Sequence, residues 1–231
     1  MPYRRLPNTD AARIKALQTA ISKASSEDFP DIPLSIKTLS DAKSVSLKFG
    51  RLCERYRQTY EMQVKANKSF QKSIRNAKMY LSHFVQVLYM CVMRNEIKRS
   101  NLELYGLENA NMVVPDLNAH EQLLDWGEKI IYGETTRVRK GGVPIFNPTI
   151  AKVNVMYAVF KEDYQTQKIH QKATSRILKE VSEYRQSVDE VIFNIWEEVE
   201  KHNLALSLPV RLEKNRAYGV LYYYRKGETI E

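Results

Sequence analysis

Two stretches of this chain run for about sixty residues each almost without a helix breaker, and nothing else in the sequence constrains the fold as strongly. Proline is absent between Pro33 and Pro115, and Gly50 is the only glycine from Ile32 to Tyr105. Proline is absent again between Pro148 and Pro209, and glycine between Gly142 and Gly219. Both stretches carry a helical rhythm: Ala66, Phe70, Ile74, Ala77, Leu81, Phe84, Leu88 and Val92 in the first, Ala173, Ile177, Val181, Tyr184, Val188, Val191, Ile195 and Val199 in the second. Spacings of three and four place each set on one helix face. With 8 Gly and 8 Pro in 231 residues, against a usual total near 12%, the chain has too few turns for a sandwich, a barrel or a doubly wound sheet.

The expectation is an all-α, elongated antiparallel helical bundle with two long helices of about 55–60 residues, two short helices and a small C-terminal β element. Asn8-Thr9-Asp10 caps the first short helix, which runs to about Ser25 with Ala12, Leu17 and Ile21 inward. Ser40 or Asp41 opens the first long helix. Asp116 and Asn118 mark the second short helix, which offers Leu123, Leu124, Trp126, Ile130 and Ile131 to the core and ends near Arg139 before Gly141-Gly142. Asn147 caps the second long helix, with Pro148 in its first turn. The 100–115 segment reads as a loop with weak internal structure, and Gly50 as the likeliest break in the long helices.

The halves 1–110 and 111–231 read as two short-helix/long-helix repeats in one continuous bundle, the second carrying a strand tail. A shift of 107 residues superimposes the two apolar ladders one for one, with six identities from Gln58 to Val92. The alternative is that any two amphipathic helices can be phased to match. Each short helix should lie beside the N-terminal half of its own long partner. At the C-terminus, the aromatic run from Ala217 to Tyr224 is β-prone and ends at Arg225-Lys226-Gly227. Two of three segments, this run, Tyr3-Arg4-Arg5-Leu6 and Asn111-Met112-Val113-Val114, should pair as a small sheet against the middle of the bundle.

Several segments resemble a set of uncharacterised helical proteins from Bacteroidetes. They are Arg5-Leu6-Pro7-Asn8-Thr9-Asp10-Ala11-Ala12-Arg13, Asp125-Trp126-Gly127-Glu128, Gly141-Gly142-Val143-Pro144 ahead of Asn147-Pro148, Ile195-Trp196-Glu197-Glu198-Val199, and the close from Gly219-Val220-Leu221-Tyr222 to Gly227. The resemblance spans most of the chain and implies the bundle; it brings no activity with it.

No apolar core follows the basic residues at the N-terminus, so no signal peptide is expected. The longest apolar run, 84–93, is half what a bilayer span needs. Cys53 and Cys91 share one long helix, too far apart to bridge, and a reduced, cytoplasmic setting is expected. His83, His120, His170 and His202 show no metal-ligand spacing, and Glu197, Glu198 and Glu200 lack the Glu-x-x-His partners of a di-iron site. No nucleophile elbow, phosphate loop or dinucleotide fingerprint occurs. The expectation is therefore no catalytic residue, no metal and no cofactor: a non-enzymatic interaction or scaffold protein with a protein partner or a second copy of itself.

Charge supplies the alternative. Residues 1–110 hold 19 basic and 10 acidic side chains, whereas 111–231 hold 17 of each. From Met62 to Asn95 no acid occurs, and Lys65, Lys68, Lys72, Arg75 and Lys78 form a ridge opposite the apolar ladder. Such a ridge suits nucleic-acid phosphates. A second cluster, Arg137, Arg139 and Lys140 before two glycines, could hold an anion, although cations in a last helical turn also complement the helix dipole. These eight residues are the candidate anion or nucleic-acid contacts. Tyr56, Tyr80 and Tyr89 fall on or beside the apolar side and read as packing, which weakens a base-stacking role.

Overall fold

A computed structural model describes residues 3–27 and 31–224. Its elements in order are β1 (Tyr3–Arg4), α1 (Asp10–Ser25), α2 (Ile36–Met93), a 3-10 helix (Arg99–Tyr105), α3 (His120–Arg139), α4 (Ile150–His202), α5 (Leu208–Ala217) and β2 (Tyr222–Tyr223). The fold is all-α, with long helices of 58 and 53 residues. Gly50 does not break α2. One glycine costs a helix about 1 kcal/mol, which propagation from both sides offsets.

Helix starts are set by whichever side-chain oxygen sits in register with a free N–H. Thr9 does so for α1, its hydroxyl accepting from the Ala12 N–H at 3.2 Å. The other three starts differ from expectation. Helix α2 begins ahead of Ser40 and Asp41, because the Ser35 hydroxyl accepts from the Thr38 N–H at 3.1 Å. Asp116 instead closes a local turn on the Asn118 N–H at 2.9 Å. Helix α3 then begins at His120 after Ala119, whose N–H donates to Gln122 at 3.4 Å. For α4 the cap is Thr149, accepting from Lys152 N–H at 3.3 Å; Asn147 and Pro148, joined by a cis peptide, precede it.

Contacts group the chain into two compact units, Met1–Tyr60 with Ala173–Glu231, and Glu61–Lys172. In the first, α1 lays Ala16, Leu17, Ala20 and Ala24 against Ala42 and Phe49 of α2 and the Ile177-to-Val199 face of α4. Alanine every fourth residue lets the helix backbones approach closely. Thr38 donates to Glu198, Phe49 faces Tyr184 and Arg55 approaches Glu180, so α2 and α4 run antiparallel here.

Helix α5 was not foreseen: with only Leu212 and Asn215 buried, it has too short an apolar pattern to register. The expected 217–224 strand shrinks to two residues. Tyr218 and Val220 are buried as core plugs around Gly219, which adopts φ +85°, a conformation unfavourable to other residues. Only Tyr222–Tyr223 then pairs, antiparallel to Tyr3–Arg4. The 111–114 segment does not join. The ribbon is fastened by Arg4 to Glu197 and Glu200, in the last turns of α4 and not at its middle. Arg225-Lys226-Gly227, expected to end the strand, lie outside the described residues.

In the second unit α3 packs on the later part of α2 and the first part of α4. Phe70 stacks on Phe160 at 6.1 Å between centroids, and Ser69 donates to Asp163 at 3.1 Å, again an antiparallel pairing. The 100–115 segment is loop only in its later part, since its first residues belong to the 3-10 helix. Leu102 and Tyr105, three residues apart, share one face of the 3-10 helix and are buried with Leu107. Gly133 of α3 provides the space: a Cβ there would stand 2.5 Å from Tyr105 Cδ1 and 2.7 Å from the Leu104 carbonyl oxygen.

Candidate functional site

Helix α3 turns Leu123, Gly127 and Ile130 inward, and the same face continues into Glu134 and Arg137, both buried. Two charges in a core must be paired and hydrogen-bonded. Glu134 accepts from Tyr105 Oη at 2.5 Å, from Arg137 Nε and Nη2 at 2.9 and 2.8 Å, and from the Ile145 N–H at 3.0 Å. Arg137 also donates to the Val143 carbonyl at 2.8 Å. Burial works against the Glu134 charge, but the bonds from Arg137, Tyr105 and Ile145 outweigh it and hold the carboxyl below its usual range. Burial and the bond to Glu134 push the Tyr105 hydroxyl up. The knot ties the 3-10 helix, α3 and the 143–145 segment together, and both carboxylate oxygens of Glu134 are occupied in doing so.

Arg137 is thereby removed from the expected cluster of three cations, since it folds inward over Gly142 while Arg139 and Lys140 stay exposed. The sequence signal was present: Glu134 and Arg137 continue the three-and-four spacing of Leu123, Gly127 and Ile130, so polar residues stand at core positions. Tyr105 carried no comparable signal.

The first unit spends its charges similarly. Arg13 grips Asp189 through Nε and Nη2 at 2.8 and 2.9 Å, and Arg185 grips Asp10 through two bonds of 2.8 Å. Glu198 accepts from the Ser35 N–H and the Thr38 hydroxyl at 2.7 and 2.6 Å, fastening the start of α2. Glu200 takes Arg4 at 3.0 Å and Tyr222 at 2.6 Å; burial and that bond push the Tyr222 hydroxyl up to about 12. A cleft of about 340 Å³ lies here, lined among others by Lys23, Glu27, His202, Glu213, Lys214 and Tyr218. Within it, Glu27 already accepts from Lys23 at 2.9 Å and from the Tyr218 hydroxyl.

The ridge on α2 contrasts with all of this. Lys65, Lys68, Lys72 and Arg75 are exposed, and among the described residues none of them is bonded to a carboxylate. Lys78 departs from the row: it is half-buried, with Nζ 3.4 and 3.3 Å from the carbonyl and side-chain oxygens of Asn118. Tyr89 is buried and donates to the Val113 carbonyl at 3.0 Å, while Lys152 sits over the Tyr80 ring. Tyr56, in the first unit, is half-buried and stacks on Tyr60. Among the described residues, no three His, Cys, Asp or Glu side chains stand together as metal ligands, and no helix is long and apolar enough to cross a membrane.

The chain matches no protein-family model, no curated protein and no solved structure.

Proposed function

We propose that this chain works as a non-enzymatic binding protein, a helical scaffold that offers outward helix faces to a partner. One contrast carries the reading. The side chains best suited to chemistry, Glu134, Arg137, Tyr105, Asp10 and Glu198, are tied into bonds between elements. Uncompensated cations and large apolar side chains such as Met79 and Val155, 55% and 52% exposed, remain on the outer faces of α2 and α4. Binding through preformed helix faces needs no reacting group.

The test is photo-crosslinking in cells, with benzoylphenylalanine placed singly at Lys72, Met79, Val155 and Lys43. Discrete adducts with protein or nucleic acid, strong at some faces and weak at others, are expected. Absence of adducts at all four positions, or substrate turnover by the purified chain, would refute the reading.

A further inference from the structure

We infer that the cation row Lys65, Lys68, Lys72 and Arg75 docks on the phosphate backbone of duplex nucleic acid. The inference rests on the binding reading above and names the partner of one of its faces. The four residues stand at intervals of three, four and three along α2, so they rise by about 4.5, 6 and 4.5 Å and span about 15 Å. One strand of a duplex places a phosphate about every 3.4 Å of axis. Laid along the duplex axis, the row spans the rise of about four base steps, so at most four phosphates fall to its four flexible side chains.

Among the described residues no neighbouring acid forms an ion pair with this row. Asp163 accepts from Ser69, Glu121 from Tyr164, and Asp125 and Glu128 are held by Lys129 and Lys161. Between positions 65 and 78 every exposed residue is polar, and the exposed apolar side chains nearest the row, Val64 and Met79, stand at its two ends. A membrane-surface helix or a protein hot spot would set large apolar side chains among the charges. With Tyr80 and Tyr89 turned into packing, the face also lacks a platform for unstacked bases. Contact through charge alone, blind to sequence, is the mode left to this face.

Fluorescence anisotropy of the full chain with labelled 20-bp DNA and RNA duplexes, a 20-nucleotide single strand, and phosphatidylserine vesicles tests this directly. Four phosphate contacts predict a log–log salt slope of about −3.6, hence about fiftyfold weaker duplex binding at 150 mM than at 50 mM salt. Lys65→Glu with Lys72→Glu should weaken duplex binding at least tenfold at 50 mM salt and reduce the slope to about −2, with helicity by circular dichroism unchanged. The control, Lys15→Glu with Lys43→Glu, makes the same change in net charge at exposed positions of the other unit and should stay within about threefold. An equal loss in the control, no duplex binding at 50 mM, or tighter binding to the single strand or to vesicles would overturn the inference. Crosslinks that persist without duplex binding would leave the scaffold reading standing with another partner. Loss of both would end both.

Discussion

Alanine at Gly133 and alanine at Gly50 should change stability in opposite directions, although both sites are helix interiors. At Gly50 a Cβ would meet nothing within 4 Å. Gly50→Ala should therefore gain about 1 kcal/mol of helix propensity. At Gly133 the new Cβ would lie 2.5 Å from Tyr105 Cδ1 and 2.7 Å from the Leu104 carbonyl oxygen. A backbone carbonyl cannot rotate away, so the 3-10 helix must retreat by about 1 Å to restore ordinary contact. That movement stretches the bonds of Tyr105 to Glu134 and Arg137, 2.5 and 2.9 Å long. Two weakened buried bonds at about 1.5 kcal/mol each, plus about 1 kcal/mol of packing strain, less the propensity gain, leave Gly133→Ala about 3 kcal/mol less stable. Urea unfolding followed by circular dichroism should place the two variants about 4 kcal/mol apart, or roughly 10 °C in Tm. Amide hydrogen exchange should rise in the 99–107 and 120–139 peptides of Gly133→Ala and leave α1 unchanged. A Gly133→Ala protein as stable as the parent would refute the claim that Tyr105 and the 3-10 helix are pinned against α3.

Glu134→Gln should cost about 3 kcal/mol at pH 7, because it leaves the Arg137 charge buried without its counterion. The folded Glu134 carboxyl lies below its usual value. Its stabilisation is thus complete above about pH 4.5 and is lost as pH falls through the folded value. The difference between parent and variant in urea unfolding should shrink from pH 7 to pH 3, and a constant difference would remove the charge from the explanation. A double-mutant cycle on Arg13 and Asp189, whose side chains are 12% and 25% exposed, should give a coupling of about 1–2 kcal/mol. The Lys129–Asp125 pair, about half exposed, should give about 0.3 kcal/mol, and equal couplings would refute the role of burial. Lys68→Glu should raise stability by about 0.5–1 kcal/mol while weakening duplex binding; a loss of stability would mean that the row is not under like-charge strain.

The long helices were legible because two physical facts coincide in the sequence: breakers are missing, and apolar residues recur every three or four positions. Helix starts were less legible, since Ser35, Ser40, Asp41, Asn147 and Thr149 can all cap a helix and only register decides among them. The 3-10 helix is not legible in the sequence, because Leu102, Tyr105 and Leu107 have neither α nor β rhythm; their burial depends on the gap at Gly133, a long-range fact. Likewise, α5 and the short β2 follow from Tyr218 and Val220 entering the core, which local strand propensity does not encode. For the candidate site, the exposed row was legible from a run without acids. The inward turn of Arg137 required noticing that Glu134 shares its helical face.

Like charges three and four residues apart on a helix repel by about 0.2–0.5 kcal/mol per pair. The row holds three such pairs, Lys65 with Lys68, Lys68 with Lys72, and Lys72 with Arg75. It therefore costs α2 on the order of 1 kcal/mol with no compensating packing. Elsewhere the chain interleaves signs on exposed helix faces, as in Glu54 with Arg57 and Asp125 with Lys129. A glutamate at position 68 or 72 would have done the same here and added two favourable pairs. Stability alone thus favours a different residue at these positions, and so does solubility, which needs net charge but not a single-signed row. A phosphate backbone reverses the sign of that cost, because each cation gains a counter-charge and the repulsion between neighbours is screened at the moment of binding. On the duplex proposed above, the residues that repel one another in the free helix would be the ones that hold the partner.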